Sequence, residues 1–266
     1  MAIGLSTYAF FWQFSETAAR PLTLTDMVNK THEQGLSVFQ MCDYAPIQTM
    51  SHSALAEVRE VAESSSVQLE LGTRGIQTSH LMNYLDIASN LGSTFLRTML
   101  HTPDDKPSVP EAIALLKEVL PAFTERGITI GLETYEQVST DDLIRVVEGV
   151  GSPFLGVCLD PANSVARLEL PTDVIDRTAP FVVNMHIKDF TFTRQAGWVG
   201  FSLIGCPLGE GFLDYDRMIA VVQPGANVNQ VVEHWLPWQG NSTQTCQLEQ
   251  QWTQHNIDTL RSKHGN

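Results

Sequence analysis

With 266 residues the chain can bury the core of one large α/β domain, and its formal charge of −14 argues against nucleic acid, whose phosphates need clustered Lys and Arg. A 43% hydrophobic and 17% charged composition is that of a globular protein, and no apolar run approaches the ~20 residues of a membrane helix. Cys42, Cys158, Cys206 and Cys246 form no C-x-x-C pair, and the apolar start lacks a basic n-region, so a reduced, cytoplasmic setting is expected.

In chain order, Ile3 to Tyr8 reads as a first strand, followed by the aromatic loop Phe10-Phe11-Trp12. A helix over 24–34 stops at Gly35, and a second strand covers 37–41. Helix 53–64, strand 67–72, helix 79–91 and strand 94–100 continue the alternation. Helix 110–126 starts on Pro110 and stops at Gly127, and Ile128 to Glu133 forms the fifth strand. Helix 140–150, strand 155–160, helix 172–178 and strand 182–188 follow. After a long insertion over 190–212, Asp214 caps a helix to Val222, strand 229–233 comes last, and helix 247–261 closes the chain. Strands and helices alternating eight times predict a single (β/α)8 TIM barrel over 1–266. No Gly-rich dinucleotide fingerprint supports an open doubly wound sheet.

The last four barrel strands share a design. Each is apolar and each delivers a metal-capable side chain at or near its C-terminal end: Glu133, Asp160, His186 and Glu233. Alternation turns Glu133 to the face of Thr129 and Gly131, Asp160 to that of Gly156 and Cys158, His186 to that of Asn184 and Lys188, and Glu233 to that of Asn229 and Val231. Alone, a carboxylate after a strand is usually a cap or a solvated charge, and a lone His is usually a hydrogen-bonded core residue. Together, three crowded inward carboxylates require a cation or shared protons. Three carboxylates and one imidazole favour Mn²⁺ or Mg²⁺, with Co²⁺ a third option, over a thiolate-type Zn²⁺ site.

On the motifs GLETYE, CLDPANS, MHIKD, VVEHW and PLGEGFLDY the whole chain resembles the xylose isomerase-like barrels of sugar isomerases and epimerases. The resemblance implies one divalent ion held by Glu133, Asp160, His186 and Glu233, with Glu133 and Glu233 as the acid/base pair acting on a small ketose or keto sugar acid through a metal-stabilised enediolate. The chain departs from the epimerases at Asn163, where they place a His, and at Lys188-Asp189-Phe190, where they carry an Arg beyond the ligand His. The combination STYAFFWQ, CDYAPI, LDPAN and EHWLPWQG is similar to the 3-oxo-isoapionate decarboxylase branch, which acts on a β-keto sugar acid. Isomerase or epimerase chemistry is therefore the first expectation and decarboxylation the alternative.

Tyr8, Trp12, Arg97, Asn163 and Lys188 are the candidate substrate contacts. Arg97 can bind a substrate carboxylate or pair with inward Glu70, and Lys188 can do the same or form a structural pair with Asp189. His234 has the opposite parity to Glu233 and reads as structural. Trp235 and Trp238 can line a pocket rim or pack on a neighbouring subunit, so a homo-oligomer is open. Two further classes are a DNA-repair nuclease, disfavoured by the acidic balance and the ligand count, and a non-catalytic sugar-binding barrel, disfavoured by the complete ligand set.

Overall fold

A computed structural model describes residues 1–264. Eight parallel strands close into a barrel: β1 (Ile3–Ser6), β2 (Val38–Met41), β3 (Gln68–Gly72), β4 (Phe95–Thr98), β5 (Thr129–Glu133), β6 (Leu155–Leu159), β7 (Val182–Ile187) and, after the hairpin β8 (Phe190–Arg194) and β9 (Phe201–Gly205), β10 (Asn229–Val232). Neighbours run in sequence order from β1 to β7, and β10 closes the ring between β7 and β1.

Local signals set the helix ends. Ser139 caps the helix Thr140–Val150 and Gly151 ends it at φ 66°, a left-handed value that glycine adopts without steric cost. Ser108 and Glu111 form a capping box on the helix Val109–Glu125, with Pro110 in its first turn. The closing helix runs over Ser242–His264, starting earlier and ending later than the apolar pattern suggests. Its early turns are polar, but buried Thr245 bonds Asn241, and Glu249 reaches Trp12 in the short helix Phe11–Phe14, where the sequence suggested an aromatic loop. No described helix is long and apolar enough to cross a membrane.

The 190–212 insertion is organised by Asp189. Its carboxylate accepts backbone N–H bonds from Phe190, Gly209, Gly211 and Leu213 at 2.8–3.0 Å. The Lys188–Asp189 pair read from the sequence does not form, because adjacent strand residues point to opposite faces. The hairpin in turn grips the loop after β10, where Gly205 N–H donates to Trp235 O at 3.0 Å. A Cβ on Gly205 would sit 2.8 Å from the Trp235 backbone, so only glycine permits this approach.

Candidate active site

Four adjacent strands deliver the predicted cluster. Glu133 ends β5, Asp160 follows β6, His186 lies near the end of β7 and Glu233 follows β10. All four are buried, and one potential ligand atom from each lies within 4.8 Å of the others. His186 Nδ1 is 3.1 Å from Glu133 Oε1 and 3.5 Å from both Asp160 Oδ2 and Glu233 Oε2. Among the described residues, buried Glu233 Oε1 has no hydrogen-bond partner, and Glu133 Oε2 and Asp160 Oδ2 meet the cationic ends of Arg97 and Lys188. Three buried carboxylates converging with an imidazole nitrogen, one of their oxygens unpartnered, fit a hard divalent cation.

Two buried cations balance part of the charge. Lys188 Nζ lies 2.6 Å from Asp160 Oδ2 and 3.2 Å from Glu233 Oε2, with Trp235 covering it at 4.4 Å. Burial works against the ammonium, but Asp160 and Glu233 outweigh it and hold the Lys188 pKa above its usual value. Burial likewise opposes ionisation of Asp160, while Lys188 and His186 keep its carboxyl below the usual range. Arg97 Nη2 pairs with Glu133 Oε2, and Arg97 Nη1 donates to Thr73 O at 3.0 Å and faces Asp43 Oδ1 at 3.5 Å.

Arg97 does not pair with Glu70. Its register partners are Gly72 and Gly131, whereas Glu70 lies opposite Gln40, one inward layer lower on β3. Asn163 donates Nδ2–H to Glu133 Oε1 at 3.0 Å and so orients that carboxylate. Tyr8 and Trp12 line a cavity of about 370 Å³ with Trp235 at the barrel mouth. Trp12 Nε1–H donates to Leu236 O at 2.8 Å, and its ring lies 5.1 Å from Trp238, which ties Trp238 to this rim. His234 donates to or accepts from Thr253 at 3.0 Å, away from the cluster.

Several contributors escaped sequence reasoning. Asp43, just after β2, sits at φ 51° and accepts from Tyr8 Oη at 2.8 Å and from Arg74 at 2.9 and 3.1 Å. Burial opposes its charge, but Arg97 and Arg74 hold its pKa down to about 2. An Asp two residues past a strand carries no local mark of this role; its partners come from three other strand ends. Cys42 also comes within 4.8 Å of His186 and Glu233. Burial pushes its thiol up to about 12, so the oxygen-rich set is the better cation site at neutral pH.

Residues 28–263 match the family described as the xylose isomerase-like TIM barrel. The chain belongs to this family. It is 52% identical over 264 residues to a 3-oxo-isoapionate decarboxylase of Pectobacterium atrosepticum, covering 99% of this chain and 96% of the relative. Among solved structures it resembles a D-psicose 3-epimerase from Clostridium cellulolyticum H10, with TM-score 0.74, 12% identity and 98% and 99% of the two chains covered. A xylose isomerase-like barrel from Mycobacterium smegmatis, solved in complex with magnesium, matches at TM-score 0.69 and 17% identity over 97% of each chain. At such identities the structural likenesses establish the shared barrel. Within the xylose isomerase-like family, the strand-end position of the Glu133, Asp160, His186 and Glu233 cluster is where barrel active sites form.

Proposed function

We propose that the protein is a divalent-metal-dependent decarboxylase of a β-keto sugar acid, with 3-oxo-isoapionate the first substrate to test. One observation carries this reading: 52% identity to a 3-oxo-isoapionate decarboxylase across nearly the whole of both chains. The site's charge supports it. Among the described residues, the Lys and Arg side chains facing Glu133, Asp160 and Glu233 are Arg97 and Lys188, while Asp43 and Arg74 cancel. A divalent ion beside a neutral His186 would turn the single excess negative charge of this strand-end layer into a single positive one, suited to an anionic substrate. Isomerase or epimerase chemistry, the first expectation from the sequence, needs no such charge for a neutral ketose and ranks second.

Glu133, Asp160, His186 and Glu233 would hold the ion, with Mn²⁺ and Mg²⁺ suited to three carboxylates and one imidazole. A bound divalent cation supplies Lewis-acid stabilisation to the oxygen that gains charge as the carboxylate departs. In the reaction the C–C bond to the carboxylate breaks, its electron pair stays on the carbon and CO₂ leaves. One solvent-derived proton then replaces CO₂ on that carbon, delivered by Glu133 or Glu233 as general acid, worth ~10²–10⁴-fold. Arg97 and Lys188 attract the substrate carboxylate, and Tyr8, Trp12 and Asn163 shape the pocket around the sugar. Trp235 excludes water above Lys188, strengthening each charge interaction there.

The test is a substrate panel with Mn²⁺- or Mg²⁺-loaded enzyme, comparing β-keto sugar acids with neutral ketoses. Stoichiometric CO₂ from an acid supports decarboxylation. Conversion of neutral ketoses alone, with no CO₂ from any acid, returns the protein to isomerase chemistry.

A further inference from the structure

Below the cluster lies a polar layer that none of the roles above uses. Gln40 on β2 and Glu70 on β3 are register partners, and Asn184 and Asn229 are register partners on β7 and β10. Gln40 is fully buried and Glu70 is 1% exposed. Glu70 has no cationic partner among the described residues. Instead its carboxylate accepts three side-chain amide N–H bonds: from Gln40 at 2.8 Å, Asn184 at 3.0 Å and Asn229 at 2.7 Å. Burial raises the Glu70 pKa and these three bonds oppose the rise; the ionised carboxylate is an acceptor only, and the groups around it then all present N–H.

That constraint runs upward to His186. With Nε2 turned to Glu70, Gln40 must direct Oε1 the other way, where it accepts from His186 Nε2–H at 2.8 Å and from Cys42 Sγ–H at 2.9 Å. The opposite amide orientation would set an NH₂ group against two donors and a carbonyl against a carboxylate. An Nε2–H donor leaves the Nδ1 lone pair directed at Glu133, Asp160 and Glu233. The hydrogen bond on one ring nitrogen thus decides which nitrogen is free for a metal.

We propose that Glu70 and Gln40 are positioning residues forming a carboxylate–amide–imidazole relay that fixes His186 as the Nε2–H tautomer and reserves Nδ1 for the divalent ion. The relay acts through polarity rather than volume. Replacing one Glu70 oxygen by NH₂, as in Glu70→Gln, places a donor among three donors. Where that NH₂ takes the Oε2 position, shared by Gln40 and Asn184, Gln40 relieves the clash by turning its amide over, and its NH₂ then opposes His186 Nε2–H. Metal binding through Nδ1 becomes unfavourable although no ligand has been touched.

The experiment measures Mn²⁺ affinity by titration calorimetry and the His186 tautomer by long-range ¹H–¹⁵N spectra of the Mg²⁺-loaded protein. Glu70→Gln should weaken Mn²⁺ binding ~10–100-fold, the range for lost partners of a ligating His, and should erode the single Nε2–H signature. The exchange double variant Glu70→Gln with Gln40→Glu restores an acceptor facing His186 and a donor facing position 40. It should recover most of the lost affinity, a rescue that a packing role would not produce. Should Glu70→Gln not fold, Gln40→Met carries the test alone: it preserves bulk, removes the acceptor and should weaken Mn²⁺ binding to a similar degree. Wild-type affinity and tautomer in folded Gln40→Met, or an exchange variant no better than a weakened Glu70→Gln, would overturn the relay. The inference rests on His186 being a ligand, as proposed above; a wild-type protein that binds no divalent ion overturns that reading and the relay together, whereas normal wild-type binding with indifferent variants overturns the relay alone.

Discussion

Lys188 holds its ammonium 2.6 Å from the Asp160 carboxylate, with both side chains buried. A cation in contact with two proposed metal ligands repels a metal ion and attracts an anionic substrate. Lys188→Met should therefore bind Mn²⁺ more tightly than the wild type while losing roughly 10–150-fold in kcat/KM on an acidic substrate, the cost of one buried charge-assisted contact. Weaker metal binding together with unchanged turnover would contradict this division of roles.

Arg97 is 2% exposed and its guanidinium joins Glu133, Asp43 and the Thr73 carbonyl. Removing one partner of a buried pair leaves an uncompensated charge, so Arg97→Met should cost ~3–5 kcal/mol of stability in urea denaturation. Added Mn²⁺ should recover part of that loss by supplying Glu133 with a counter-charge. A change within experimental error of wild type would show that Glu133 does not depend on Arg97.

Glu249 supplies a pH test away from the cluster. Its carboxylate accepts N–H bonds from Trp12 and Gln13 and braces the aromatic segment at the barrel mouth. Burial raises its pKa from 4.5 to about 7, more than these hydrogen bonds lower it. The folded state therefore keeps a proton that the unfolded chain releases, and stability falls as pH rises from about 4.5 to about 7, by on the order of 3 kcal/mol. Thermal melts of Glu249→Gln should be flatter than wild type across that window. Parallel pH profiles for the two proteins would count against the shift.

The charge of −14 predicts no useful DNA affinity, since 16 Lys and Arg against 30 Asp and Glu leave little to displace counterions from phosphates. Gel shifts with duplex and abasic DNA at sub-micromolar protein should show free probe only. A retarded band in moderate salt would reopen the nuclease class.

The barrel was legible because its strands are short apolar runs punctuated by caps and glycine stops. The metal-capable cluster was legible because a period of two assigns each strand residue a face. Parity does not give height along the barrel axis, and there one of the two readings of Arg97, a pair with Glu70, failed. Arg97 and Glu70 do face inward, but the β3–β4 register sets Arg97 beside Gly72, above Glu70. The Lys188–Asp189 pairing failed because Asp189 turns to the loop backbone instead. Asp43, Arg74 and Gln40 act through partners 30 to 146 residues away, and no local pattern encodes such pairings.

The most direct test of the central claim follows 3-oxo-isoapionate labelled with ¹³C at its carboxyl through reaction with the Mg²⁺-loaded enzyme in D₂O. Decarboxylation predicts that the carboxyl signal passes quantitatively into CO₂ and bicarbonate while one solvent deuterium enters the product carbon, with both events abolished in Asp160→Ala. A retained carboxyl signal, with deuterium exchanging into intact acid or with no change at all, would contradict it.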